Sequence, residues 1–356
     1  MSIFRKSTKV ELTSMDAAEN AIANREVAGL TQREIVLKRF LHHRAAVISM
    51  VVLGFVIIGV FSGGAFSFGP IHYPGWWKYG INDTPPLTQC GNGSLGCPTM
   101  SLWPKFLGGH GITIGEHPFG QDDIGHDYFA LVLRGAQRSL MVTFIIGFIA
   151  GTIGTVIGSI AGFFGGRIDN ALMRFVDFLI TIPSIIIGSV IGFHFGNLGA
   201  LFLALYLGLF SWTGLSRLVR GEFLKLRELE FVDAARVAGA SNRRIIFKHI
   251  LPNAVGVIIV SITLLMSGAI LLETALSYLG FGVTPPDVSL GLLISQYQDS
   301  FTTRPYLFWW PGLLIIIIAL SINFIGDGLR DAFDPRQRRR ISLKERRRGG
   351  SPKADA

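Results

Sequence analysis

Apolar residues fall into six long runs, at 45–61, 139–164, about 171–195, 198–215, about 254–276 and 306–325. A bilayer core about 30 Å thick needs roughly 20 apolar residues in helix. The pattern therefore predicts an all-α integral membrane protein with six transmembrane helices. The first and fourth runs are short, but each has a basic flank on one side and a Gly-rich flank on the other, which favours a span over a buried helix. A further apolar stretch at 290–294 is too short to cross and suits a re-entrant or interfacial segment.

Composition strengthens this reading. Hydrophobic residues make up 49% of the 356 and charged residues only 16%, against about 25% charge in soluble domains. The placement of charge then orients the chain. Of 33 Lys and Arg, 28 fall in residues 1–44, at Arg167 and Arg174, in 216–253 and in 326–356. The other five, Lys78, Lys105, Arg134, Arg138 and Arg304, lie in the alternate connections. The positive-inside rule predicts both termini cytoplasmic, and an even number of spans follows, since an odd number would split the two basic ends.

These boundaries give a cytoplasmic segment 1–44, a first span 45–61, an extracytoplasmic loop 62–138, a five-helix core 139–330 and a basic tail 331–356 expected to be disordered. More than forty residues precede the first apolar run, so a cleavable leader is not expected. The loop 62–138 holds both cysteines, Cys90 and Cys97, around a Gly-rich stretch. They form a disulfide if the loop faces an oxidising compartment and are two loop thiols otherwise. Asp122, Asp123 and Asp127 lack calcium-loop spacing and suit a capped helix start or a docking surface. Glycines 147, 151, 154, 158 and 162 in the second run let a neighbouring backbone approach closely.

The connection 216–253 is too polar to cross a membrane. Phe231, Ala234, Ala235 and Ala238 fall at i, i+3, i+4 and i+7 and make one apolar stripe, with Asp233 and Arg236 opposite. Gly239 stands where a helix ends in a left-handed residue. Ser241 is placed to cap a second short helix, Arg244 and Lys248 share one edge of it, and Pro252 is expected to close it before the next span. Arg243, Arg244 and Lys248 would suit a helix-turn-helix reading of DNA, but both ends are tied to spans, which prevents insertion into a groove and argues against a nucleic-acid partner. A helix lying on the inner leaflet is the other reading.

At these residues the chain resembles the permeases of binding-protein-dependent ABC importers, whose cytoplasmic loop carries E-A-A-x3-G-x9-I-x-L-P. Here the pattern stands as Asp233-Ala234-Ala235, Gly239, and His249-Ile250-Leu251-Pro252. Asp233 replaces Glu and His249 replaces Ile. Both departures, with Arg236, Ala240, Ser241 and Asn253, are similar to the dipeptide/oligopeptide/nickel branch and its C-type second permease. His117-Pro118-Phe119-Gly120, Glu273 to Val283 and Asp334-Pro335-Arg336 agree with that branch. The resemblance implies a type I permease fold in a prokaryotic cell membrane, docked through Phe231, Asp233, Ala234, Ala235, Arg236, Gly239, Ala240, Ser241, His249, Leu251 and Pro252 onto cytoplasmic ATPases. It implies as partners a B-type permease, two separate or fused ATPase subunits that hold ATP and Mg, and an extracytoplasmic binding protein. No cofactor is expected on this chain, which has no phosphate-binding GxxxxGK[ST] loop. Peptide is the expected cargo, with nickel the alternative. Asp177 and Glu273 are the intramembrane carboxylates and so candidates for the path, with helix packing, or pairing of Asp177 with Arg174, the plainer reading. A membrane-embedded enzyme built on them would lack an activating partner.

Overall fold

The computed structural model describes residues 32–68, 71–89, 95–101 and 113–333. Among these, eleven α-helices of eight residues or more carry the fold, and a three-residue turn of helix, short 3-10 and π stretches and one small hairpin complete it. Two helices open it: α1 (Gln32–His42), near the basic end, and α2 (Arg44–Gly63), the first span. His43 separates them because its ring accepts from the Ala46 N–H and caps α2. A hairpin follows, β1 (Phe66–Phe68) antiparallel to β2 (Ile71–Tyr73), with Phe66 opposite Tyr73.

The central element is α3 (Tyr128–Phe164), 37 residues long. At 1.5 Å per residue it measures about 55 Å, more than a bilayer core, so it projects beyond the membrane. Asp127 starts it by accepting from the Ala130 N–H at 2.8 Å. The same carboxylate takes the Trp77 indole N–H at 3.1 Å and the buried His117 ring at 2.7 Å. Asp122 accepts from the N–H groups of Ile124, Gly125 and His126 at 2.8–2.9 Å, and Asp123 pairs with Arg304 at 2.6 Å. The acidic cluster is thus a helix cap and loop clamp. Cys97 is half of a disulfide; its expected partner, Cys90, lies outside the described residues.

The third predicted span is broken. α4 (Gly166–Ile180) and α5 (Ser184–Phe195) meet at a 70° bend. Pro183 explains it: the residue has no N–H for the helix ladder and pushes its predecessor out of the helical region. Among the described residues five helices are long and apolar enough to cross, and the bent pair, taken as one span, makes a sixth. The fourth span is longer than predicted: α6 (Gly199–Phe210) and α7 (Thr213–Leu226) together are long and apolar enough to cross, and α7 carries the helix eleven residues into the connection expected at 216–253.

Glycines bring α7 against α3. A Cβ on Gly158 would sit 2.5 Å from the Ser216 carbonyl oxygen, and one on Gly162 2.6 Å from Phe223 Cβ. Both are shorter than real contacts allow, so the helices touch backbone to backbone. The run at 290–294 folds as part of α11 (Leu290–Tyr297), and Leu290 to Leu293 are buried. It is an inserted half-helix rather than a surface one. α12 (Tyr306–Phe333) returns to the basic end, where His43 faces Asp331 at 3.5 Å. The basic tail expected to be disordered lies, from Asp334 on, outside the described residues.

Candidate functional site

Between α7 and the fifth span the chain builds a two-helix projection. Arg227 ends α7 and donates to the Gly162 and Phe163 carbonyls at 3.2 and 3.3 Å, tying this corner to the end of α3. Then come α8 (Glu230–Val237) and the single turn α9 (Asn242–Arg244). The fifth span, α10 (Leu251–Tyr278), follows without a gap.

The turn between α8 and α9 is a Schellman motif. Gly239 has φ of +76°, its N–H reaches the Arg236 carbonyl at 2.9 Å, and the Ala240 N–H reaches back to Ala235 at 3.0 Å. These two bonds satisfy carbonyls that a helix end leaves free. Ser241 caps α9 by accepting from the Arg244 N–H at 3.4 Å. Asp233 and Arg236 pair at 3.0 Å along the exposed face of α8.

The predicted apolar stripe divides. Val232 is fully buried, and Ala235 and Ala240 pack beside it against Phe223, Ile245 and Ile250. Phe231, Ala234 and Ala238 face outward. Val237 joins them at 91% exposed, and Phe247 stands out at 60%. Phe247 lines a groove of about 390 Å³ with Ser241, Arg243 and Arg244. The sequence reading missed Val237 and Phe247; the signal was an apolar side chain beside charged ones in a segment that does not cross the membrane.

Pro252 does not close a helix. The chain widens into one π-helical stretch over Ile245–Ile250 and runs on into α10, with Pro252 in its first turn. His249 lies in the π stretch, and Leu251 packs against the buried cluster that joins Phe163 of α3, Val219 and Phe223 of α7, Val232 of α8 and Ile250. The projection is therefore one piece with three membrane helices. Burying about ten apolar side chains at roughly 1.5–3 kcal/mol each makes this joint far stiffer than the exposed turn it carries.

The two intramembrane carboxylates are not brought together. Asp177 pairs with Arg217 of α7 on an exposed face, and this cross-helix partner replaces the expected Arg174. Arg220, one turn further on, holds Asp169 in a fork, 2.6 Å at Nη2–Oδ2. Glu273 is fully buried. Ser139 of α3 and Ser277 of α10 donate to it at 2.9 and 2.8 Å, and Ser139 also accepts from the Leu290 N–H at 3.3 Å. Glu273 thus staples α3, α10 and α11, and its carboxylate is closed off from the protein surface.

Residues 154–339 match the family described as "Binding-protein-dependent transport system inner membrane component". The chain is 36% identical to the oligopeptide transport system permease protein OppC of Mycobacterium tuberculosis H37Rv, covering 86% of this chain and 96% of that protein. It is 36% identical to OppC of Escherichia coli K12 over 91% of this chain and 97% of that one. Among solved structures, a chain of the MetNI methionine ABC transporter in an inward-facing conformation is similar over 57% of this chain and 96% of its own length, with 21% identity and a TM-score of 0.48.

Proposed function

The chain belongs to the family of binding-protein-dependent transport system inner membrane components, and from that premise we propose that it is the C-type permease of an ABC importer for di- or oligopeptides. The observation that carries the reading is the rigid projection at 230–253, with Phe231, Ala234, Val237 and Ala238 exposed on it. An apolar surface on a polar cytoplasmic connection needs a protein to cover it. Small alanines let such a helix enter a groove, and Gly239 sets the angle at which it is presented.

In this reading the basic side is cytoplasmic, in a prokaryotic cell membrane, and the groove belongs to one of two ATPase subunits. ATP and Mg bind there and not on this chain. Closure of the ATPase pair moves the projection, and the cluster around Phe223 and Ile250 carries that movement into α3, α7 and α10 as a rigid body. The spans, with those of a B-type permease, alternate between inward- and outward-facing states. A binding protein delivers cargo to the loop side. Peptide as cargo is supported by the names of the relatives.

The test is uptake into proteoliposomes that hold the whole complex and its binding protein. ATP-dependent accumulation of a labelled dipeptide or tripeptide supports the proposal. Accumulation of nickel without peptide transfers the chain to the nickel alternative, and no ATP-dependent uptake of either overturns the importer reading.

A further inference from the structure

Three features meet at the root of the projection. The π stretch over Ile245–Ile250 ends with the Leu251 N–H bonded to the carbonyl of Ile246, five residues back. Pro252 follows, with no N–H to donate and a ring that excludes the carbonyl four residues before it from α-helical approach. Asn253 then donates its side-chain amide to the His249 carbonyl at 2.7 Å. In a regular helix that carbonyl takes the backbone N–H of residue 253.

The consequence is geometric. A π turn holds one residue more than an α turn, and one residue corresponds to about 100° of rotation around the axis. The extra residue therefore sets which face of α8 and α9 points outward relative to α10. On the inner side the turn is gripped by buried Ile245, Ile246, Ile250 and Ala254. On the outer side Phe247, Lys248, Pro252 and Asn253 are exposed, and the Asn253 amide bridges the turn there.

We propose that Asn253 is a positioning residue for coupling: its amide clasps the His249 carbonyl, holds the π turn open and fixes the angle between the docking helices and α10. The proposal rests on the coupling reading above. Asn253 acts through α8 and α9 rather than on cargo or nucleotide.

Three variants separate a clasp from general packing. Asn253→Ala removes the donor, and Asn253→Asp keeps the shape but only accepts at neutral pH. Asn253→Ser keeps a hydroxyl that can reach the carbonyl four residues back. In the reconstituted complex, the Ala and Asp variants are expected to keep their ATPase subunits through purification but to move about fivefold less labelled dipeptide per ATP hydrolysed. That is the factor one hydrogen bond sets on a two-state equilibrium. Asn253→Ser is expected to recover at least half of the loss. Hydrogen exchange of the 245–253 segment in the same complexes should quicken in the Ala and Asp variants and return in the Ser variant. The proposal is overturned if Asn253→Ala matches the unmodified complex in both readouts, if Asn253→Ser fails as badly as Asn253→Ala, or if all three variants lose their ATPase. The exchange readout does not depend on cargo, so an unmodified complex that moves no peptide would refute the peptide reading and still leave the clasp decided.

Discussion

Replacing Gly239 by Val changes one backbone preference and little else. No atom lies within 4 Å of where a Cβ at this position would stand, so the substitution creates no clash. What it meets is φ of +76°, a region that costs an L-residue about 1–2 kcal/mol and a β-branched one more. The turn lies at the surface, tied inward through Val232, Ala235 and Ala240. The strain is therefore relieved by opening the Schellman bonds rather than by unfolding the spans. A cost of 1–2 kcal/mol lowers the population of the docking-competent turn by about 5–30-fold. Docking affinity should fall by the same factor, while membrane insertion and yield stay level. The assay is titration of the purified permease pair with its ATPase, followed by uptake in proteoliposomes. Gly239→Asn is the control, since Asn tolerates the left-handed region, and it should dock within a few-fold of the unmodified chain. Two results would refute the reasoning: Val at 239 docking and transporting normally, or Asn at 239 doing as much damage as Val.

Three further outcomes follow from the packing. Gly158→Ala forces a methyl against the Ser216 carbonyl and Val219 and should cost about 1–3 kcal/mol, read as a lower unfolding temperature in detergent; an unchanged temperature would mean that α3 and α7 are not in backbone contact. Glu273→Ala leaves the Ser139 and Ser277 hydroxyls without their acceptor and should destabilise by about 1–3 kcal/mol, whereas Glu273→Gln keeps an acceptor and should cost less; equal stability of all three proteins would remove Glu273 from its role as a staple. The disulfide at Cys97 predicts that an impermeant maleimide labels intact cells only after reductant, and labelling without it would count against an oxidised extracytoplasmic loop.

Much of this structure was legible because the membrane imposes few and strong demands. Apolar runs must span and positive charges must stay on one side, so the spans at α2, α3, α10 and α12 fall close to their runs. Gly239 and Ser241 were equally legible, because a left-handed turn and an N-cap are local chemistry. Partnerships across the fold were not. The partner of Asp177 is Arg217, 40 residues away, and spacing along one helix pointed instead to Arg174. The inward turn of Ala235 depends on Val232 finding Phe223 and Ile245, which no stripe count reveals.

The two prolines show why a local rule read correctly can still give opposite outcomes. Pro183 and Pro252 each remove an N–H from a helix. At Pro183 the chain breaks: Thr181 turns its hydroxyl back to the Phe178 carbonyl at 2.6 Å, and the N–H groups of Ile186 and Ile187 bond to the carbonyl of Pro183 itself, which starts a new helix at a 70° bend. At Pro252 the preceding turn widens, Asn253 serves the His249 carbonyl, and buried Ile250 and Ala254 hold the axis in line. The difference lies in what replaces the missing donor and in how firmly the neighbours grip both sides. For a permease the two solutions suit different tasks. A bent pair presents polar residues such as Asp177 at a helix surface, whereas a filled break would, in the proposed coupling, pass force from a docking helix into a span without folding at the joint. On that division, a second break introduced at 253 should uncouple the transporter, while substitutions around Thr181 should alter uptake and leave ATPase docking untouched.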